Sequence, residues 1–250
     1  MLRLALTGAL ALAAAGSLAR AEQPAAAPAA PAKPAAPAAE PNTLTDQEKK
    51  DGWVLLFDGK TTAGWRKLGF DGPVPEAKWV VRDGCLVHLP SKETADIVYD
   101  KPFESFELSW EWRVPKPKGN SGIKYRVPET KGKNGAFGPE YQMMNDPGVT
   151  DKHATGSLYD LLPPKNKQLV PDGQFNVSRV VVRGDKVEHW LNGQKAVEFT
   201  FWSDEFNKAQ EASKFKGSPV WAKKPLGYIA LTSHGDEAHF RNVKLRVLEK

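Results

Sequence analysis

The chain has few of the residues that make the commonest chemical signatures. Cys85 is its single cysteine. One thiol closes no internal disulfide and builds no cysteine zinc cluster. It sits in "VRDGCLVHL", far from the start of the chain, so it offers no lipoprotein anchor and reads as a small buried hydrophobe in a strand. No block or stripe of basic residues occurs. The formal charge of +5 includes Arg3 and Arg20, which leaves +3 once those two are removed, and nothing points to nucleic acid. There is no G-x-S-x-G elbow, no phosphate-cradling glycine loop and no H-E-x-x-H. Beyond residue 21 no apolar run is long enough to cross a membrane.

The first 21 residues, "MLRLALTGALALAAAGSLARA", are apolar behind Arg3 and end in Ala19-Arg20-Ala21. That is the pattern of a secretory signal peptide cleaved after Ala21. The run is short, Ala-rich and interrupted by Gly8 and Gly16, which disfavours a membrane anchor. Residues 22–43 open as "EQPAAAPAAPAKPAAPAAEP", an Ala/Pro spacer with almost nothing to bury. Folding therefore concerns 44–250, enough chain for one domain with a single large core. The expected product is exported, to the periplasm or beyond, with no lipobox cysteine.

The domain reads as β almost throughout. "SFELSWEWRV" (105–114) alternates, with Phe106, Leu108, Trp110, Trp112 and Val114 on one face. "KWVVRDGCLVHL" (78–89) turns at Asp83-Gly84, and the meander 175–201 turns at Gly184-Asp185 and Asn192-Gly193. "WVLLFD", "SGIKYRV", "PEYQMMN", "GYIALTSH" and "EAHFRNVKLRVLE" supply further strands. Only "SDEFNKAQEASKF" (203–215) has a helical pattern, with Ser203 as N-cap. The fold class is all-β, an antiparallel β-sandwich of jelly-roll type with one short surface helix.

Several polar groups stand where a packed β protein has little structural use for them. They are Glu140 and Gln142 on one face of "PEYQMMND", and His153 in "HATGSLYD". Asn120, Lys124 and Arg126 lie in "NSGIKYR", and His234, Arg241 and Asn242 in "SHGDEAHFRN". Glu111 and Arg113 complete the group. Solvated charge on the outside of a sandwich is the competing explanation for each alone. His88, His189 and His239 are read as structural. The strand 140–145 also resembles the catalytic strand of sandwich glycosidases that read E-x-D-x-x-E. Here the pattern is Glu140-x-Gln142-x-x-Asn145. A retaining glycosidase needs two carboxyls about 5 Å apart. An amide serves neither as nucleophile nor as acid, so ordinary retaining hydrolysis is disfavoured.

Taken together, "GWVLLFDGKTTAGW", "NSGIKYR", "PEYQMMND", "HATGSLYD", "HWLNG" and "SHGDEAHFRNVKLR" resemble the 3-keto-disaccharide hydrolase domain family, from Trp53 to Leu248. The family's usual late motif resembles L-Q-D-H-G. Here it is "LTSHG", with Thr232 and Ser233 in place of Gln and Asp and with His234 kept. The resemblance implies a concanavalin/laminin-G-like sandwich, as in lectins and glucanases, and a particular chemistry. A separate sugar 3-oxidoreductase makes a ketone at C3. A base then removes the C2 proton, the C1 substituent is eliminated, and water adds, giving net hydrolysis. The implied roles are His153 or His234 as base and Glu140 as acid/base or metal ligand. Lys124 and Arg126 stabilise the enolate or orient hydroxyls, and Gln142, Asn120, Glu111 and Arg241 contact sugar. Glu140, His153 and His234 also form a donor set of the kind that holds a catalytic divalent ion; no local spacing decides for or against it. The rival reading is a non-catalytic carbohydrate-binding module, since the fold serves lectins too. The expected partner is a glycoside or oligosaccharide, with no stable protein partner.

Overall fold

The protein is described from a computed structural model that covers residues 40–69, 72–129 and 135–249. The signal-peptide expectation and the spacer up to residue 39 lie outside the described residues. The docked chain begins slightly before residue 44. Asn42 donates its side-chain amide to the Gly84 carbonyl at 2.8 Å and accepts from the Asn242 backbone N–H at 2.9 Å.

In chain order the elements are α1 (Asp46–Lys50), β1 (Val54–Leu55), β2 (Trp65–Lys67), β3 (Trp79–Arg82), β4 (Cys85–His88), β5 (Ile97–Tyr99) and β6 (Phe106–Arg113). Then follow β7 (Asn120–Val127), β8 (Glu140–Met144), β9 (Asn176–Arg183), β10 (Lys186–Leu191), β11 (Gln194–Thr200), α2 (Asp204–Glu211), β12 (Tyr228–Ser233) and β13 (Ala238–Val247). One sheet runs β11-β10-β9-β6-β13-β4-β3, with β1 added against β13; the other runs β2-β5-β12-β7-β8. Two of the three predicted tight turns have positive φ at both central residues, whereas at Gly184-Asp185 only Gly184 does, with φ 55. Asp83-Gly84 stand at φ 51 and 69, and Asn192-Gly193 at φ 47 and 81. Two successive positive φ values match the right-handed twist of the strands they join.

The apolar face of β6 meets the second sheet. Trp110 and Trp112 are fully buried. The Trp110 indole N–H points at the Met143 sulfur at 3.3 Å, and its ring meets Tyr141 edge-on at 4.9 Å. The Trp112 N–H donates to the Ser178 hydroxyl at 2.8 Å. Burying side chains of this size supplies about 1.5–3 kcal/mol each before entropy is counted; Trp110 joins the two sheets, and Trp112 ties β6 to β9 within its own. Cys85 is buried as expected, and burial pushes its thiol pKa up.

Ser203 caps α2, accepting from the Phe206 N–H at 3.2 Å. The helix stops earlier than the sequence pattern suggests, because the next backbone groups are taken elsewhere. The Lys214 N–H donates to the Asp160 carboxylate at 2.7 Å and the Phe215 N–H to the Ser213 hydroxyl at 3.1 Å. The short α1 was not read from the sequence. Its Thr45-x-x-Glu48 capping box is complete, with the Thr45 N–H donating to Glu48 at 2.9 Å.

Candidate active site

Three strands of the second sheet share an outer face. Their inward residues, Ile123, Tyr125, Tyr141, Met143, Ile229 and Leu231, belong to the core. Side-chain alternation then turns Gly122, Lys124, Glu140, Gln142 and Thr232 the other way. This face is not wet. Glu140 is 5% exposed and Gln142 1%. The segment 153–160 lies along β8, with the Gly156 N–H bonded to the Gln142 carbonyl at 2.9 Å and the Tyr159 N–H to the Glu140 carbonyl at 3.0 Å. Segments 135–138 and 214–215 complete the walls of a cavity of about 480 Å³. Its lining includes Thr94, Asp96, Asn120, Lys124, Phe137, Glu140, Gln142, Tyr159, Lys214, Phe215 and His234. Two surface hollows are larger, about 560 and 620 Å³. Neither brings a buried carboxylate, an imidazole and two amines together, whereas the cavity over β8 does.

Glu140 is the centre of the charge. Its Oε1 lies 3.4 Å from His234 Nε2 and 3.2 Å from the Thr232 hydroxyl, and its Oε2 lies 3.8 Å from the Lys124 ammonium. Burial pushes its pKa up, but Lys124, His234 and Lys214 outweigh burial and hold it below the ordinary carboxylate value. Gly122 pairs with Gln142 and stands diagonal to Glu140, and a Cβ there would run into the Glu140 carboxylate. The glycine is thus the space the carboxylate occupies. Lys124 also donates to the Ala136 carbonyl at 2.9 Å. The Gln142 and Asn120 side-chain carbonyl oxygens are buried at this face without a partner among the described residues, which is costly unless a ligand supplies a donor.

Asp96 holds the rim. Its carboxylate accepts from the Ser233 N–H at 2.9 Å, the Ser233 hydroxyl at 3.3 Å and the Ala136 N–H at 2.7 Å. It therefore ties the turn that carries His234 to the wall that receives Lys124. The two positions that depart from the L-Q-D-H-G pattern have separate uses. Thr232 faces Glu140, and Ser233 turns to Asp96.

The structure gathers Glu140, His234, Lys124, Gln142 and Asn120 at one cavity, but it does not bring the other expected site residues there. His153 lies behind Tyr159, its ring edge-on to that phenol at 5.3 Å and its Nε2 3.1 Å from Asp160. Glu140, His153 and His234 are consequently not one ligand set. Among the described residues no group of three or more His, Cys, Asp or Glu side chains is arranged to hold a metal ion. Arg126 shares its sequence parity with Lys124, yet its backbone has φ 52 and the β7–β12 register slips beside it. This irregularity sends its guanidinium over the Phe201 ring at 4.0 Å and onto the Gly184 carbonyl at 2.6 Å. Glu111 and Arg241 pair with each other at 2.7 Å, on β6 and β13 of the other sheet. Alternation had set these residues on a polar face without saying which sheet the face belonged to. Sequence reasoning missed Asp96, Tyr159 and Lys214. Tyr159 was within reach, since it sits inside the "HATGSLYD" stretch already singled out.

His189, read as structural, is so. It is fully buried between the Tyr125 hydroxyl at 2.9 Å and the Gly156 carbonyl at 3.2 Å. Burial lowers its pKa to about 4.

An antiparallel β-sandwich here carries an acid, an imidazole and amines in one cavity, and its family match places it among carbohydrate-acting enzymes. Residues 52–246 match the family described as the 3-keto-alpha-glucoside-1,2-lyase-like domain. The chain belongs to this 3-keto-disaccharide hydrolase family. A 3-keto-disaccharide hydrolase of Bacteroides thetaiotaomicron is 33% identical over 249 residues, covering 84% of this chain and 83% of that one. A solved structure from Parabacteroides distasonis, assigned as a glycosyl hydrolase, superposes with a TM-score of 0.76 at 32% identity, over 84% of this chain and all of that one. The lumenal domain of VIP36, at 9% identity and a TM-score of 0.50, shares the fold alone.

Proposed function

We propose that the enzyme cleaves 3-keto-glycosides, 3-keto-disaccharides among them, by elimination across C2 and C1 followed by hydration. The observation that carries this reading is the buried Glu140 carboxylate with the more exposed His234 imidazole 3.4 Å away and Lys124 beside it, on a strand with amides where a retaining glycosidase needs acids. A lone carboxylate tied to an imidazole is poorly suited to paired-carboxylate hydrolysis. It is well suited to proton abstraction. Glu140 accepts from His234 Nε2–H, which orients the ring and leaves Nδ1 as the base.

The steps follow from the ketone. A carbonyl at C3 acidifies the C2 hydrogen, and His234 takes that proton. Lys124 has three donors; with one on Ala136 and one toward Glu140, the third is available to the enolate oxygen. The enolate then collapses, the C1–O bond breaks, and a 1,2-unsaturated 3-keto sugar remains. Water adding at C1, with a proton returned to C2, gives the free 3-keto sugar. Gln142 and Asn120 orient hydroxyls through their unpartnered carbonyl oxygens. The substrate must be oxidised beforehand, so a sugar 3-oxidoreductase acts upstream. The apolar start of the chain and its Ala-Arg-Ala motif support export, with the mature protein beginning near Glu22. N-terminal sequencing of the secreted protein checks this.

The purified protein, given a 3-keto-glucoside and its unoxidised parent, should consume only the ketone, as followed by NMR. Cleavage of the unoxidised parent at a similar rate would overturn the reading.

A further inference from the structure

Elimination needs a proton for the departing oxygen as well as a base for C2, and the floor of the cavity does not supply it. His234, tied to Glu140, keeps the proton it took from C2 for return to that carbon, and Lys124, bonded to Ala136 and beside Glu140, has its third donor on the enolate oxygen. The opposite wall carries one more acid. Lys214 follows α2, and its backbone N–H is fixed by Asp160 at 2.7 Å. The next residue, Phe215, is stacked on Trp221 at 4.5 Å and meets Phe137 at 6.0 Å, so this wall is rigid. The Lys214 ammonium stands over the Tyr159 ring, 4.3 Å from its centroid. Among the described residues no hydrogen bond or ion pair ties that ammonium down. It is a donor with protons to give, mounted on a fixed wall and facing a carboxylate-bearing floor.

We propose that Lys214 is the proton donor to the departing glycosidic oxygen. This rests on the elimination reading above. As the enolate re-forms the C3 carbonyl, the electron pair makes the C1–C2 double bond and the C1–O bond breaks. The leaving oxygen takes one N–H proton of Lys214, and the neutral amine recovers a proton from water. Two features suit the group to this work. Burial pushes the Lys214 pKa down, and the charge of Glu140 opposes that shift without cancelling it. A weaker ammonium is a better donor near neutral pH. The Tyr159 face meanwhile holds the cation in place without consuming its protons.

Leaving-group dependence tests the assignment. Two 3-keto-glucosides are compared, one releasing 4-nitrophenol and one releasing an alkyl alcohol. Only the alkoxide needs protonation to depart. Lys214→Met should lower kcat on the alkyl glycoside roughly 100-fold or more, and on the nitrophenyl glycoside only a few-fold. Lys214→Arg keeps the charge over Tyr159 but is a far weaker acid, so it should resemble the Met variant. In deuterated water Lys214→Met should still exchange the C2 hydrogen, since that step precedes departure. Equal losses on both substrates, or full rescue by arginine, would overturn the proposal. Loss of C2 exchange in the wild type would instead remove the elimination reading on which it rests.

Discussion

Glu140 Oε1 and His234 Nε2 stand 3.4 Å apart, although 94 positions separate them in the chain. One comes from the middle of a strand and the other from the turn that follows β12. Rigid strands fix the carboxylate, and a turn mounts the imidazole where it can reach a ligand. With the Lys124 ammonium 3.8 Å from the other carboxylate oxygen, the pair makes an asymmetric site with one orienting acid, one base and one electrophile.

Each partner should therefore be needed. Glu140→Gln and His234→Ala should each lower kcat on a 3-keto-glucoside roughly 100-fold or more. His153→Ala should cost under about 10-fold, because its ring is held by Asp160 behind Tyr159. Steady-state kinetics on the three purified variants decides. A His153 variant as impaired as the His234 variant would reverse the assignment of the base.

Gly122 should not tolerate a side chain. In Gly122→Ala the new Cβ would collide with the Glu140 carboxylate. Activity should fall nearly as far as in Glu140→Gln, while far-UV circular dichroism remains that of the wild type. An active Gly122→Ala protein would show that the carboxylate can move without consequence.

Asp96→Ala should both destabilise the protein and loosen the site. It strands the Ser233 and Ala136 N–H groups, each buried. An orphaned buried donor costs about 1–3 kcal/mol, so the denaturation midpoint should drop clearly. kcat should fall as well, since the turn carrying His234 loses its tie. Urea titration and kinetics on the same preparation separate the two effects.

The buried imidazole of His189 makes stability depend on pH. Its pKa is lowered from 6.5 to about 4 in the fold. Below pH 6.5 the unfolded chain takes up a proton that the native state refuses, so stability is lost as pH falls from there to about 4. The loss amounts to about 3 kcal/mol at the acid end. Tm measured from pH 7 to 4.5 should fall, and the fall should be smaller in His189→Gln, whose starting Tm is lower. An identical acid slope in the variant would assign the effect to other groups, such as the carboxylates of Glu140 and Asp160, whose pKa values are also lowered.

Much of the frame was legible because alternation is a local property. The β6 residues Trp110 and Trp112 lie on one face in the pattern and in the core of the fold, and the Asn192-Gly193 turn is where its chemistry demands. The Glu140/Gln142 face was legible for the same reason. Alternation does not say which of two sheets a polar face belongs to, and so Glu111 and Arg241 went to the wrong side. It also breaks where the backbone breaks, as at Arg126 with φ 52. Lys214 reaches the cavity only because Asp160 clamps the chain after α2. No pattern within "SDEFNKAQEASKF" reports that long-range contact.

Proton removal from C2 of a ketone is the step on which the proposed reaction depends. The direct measurement is an NMR time course of a 3-keto-glucoside with the enzyme in deuterated water. Deuterium should appear at C2 of the released 3-keto sugar, and the unoxidised glucoside should remain intact. Release of a sugar that keeps its original C2 hydrogen, or cleavage of the unoxidised glucoside, would contradict it.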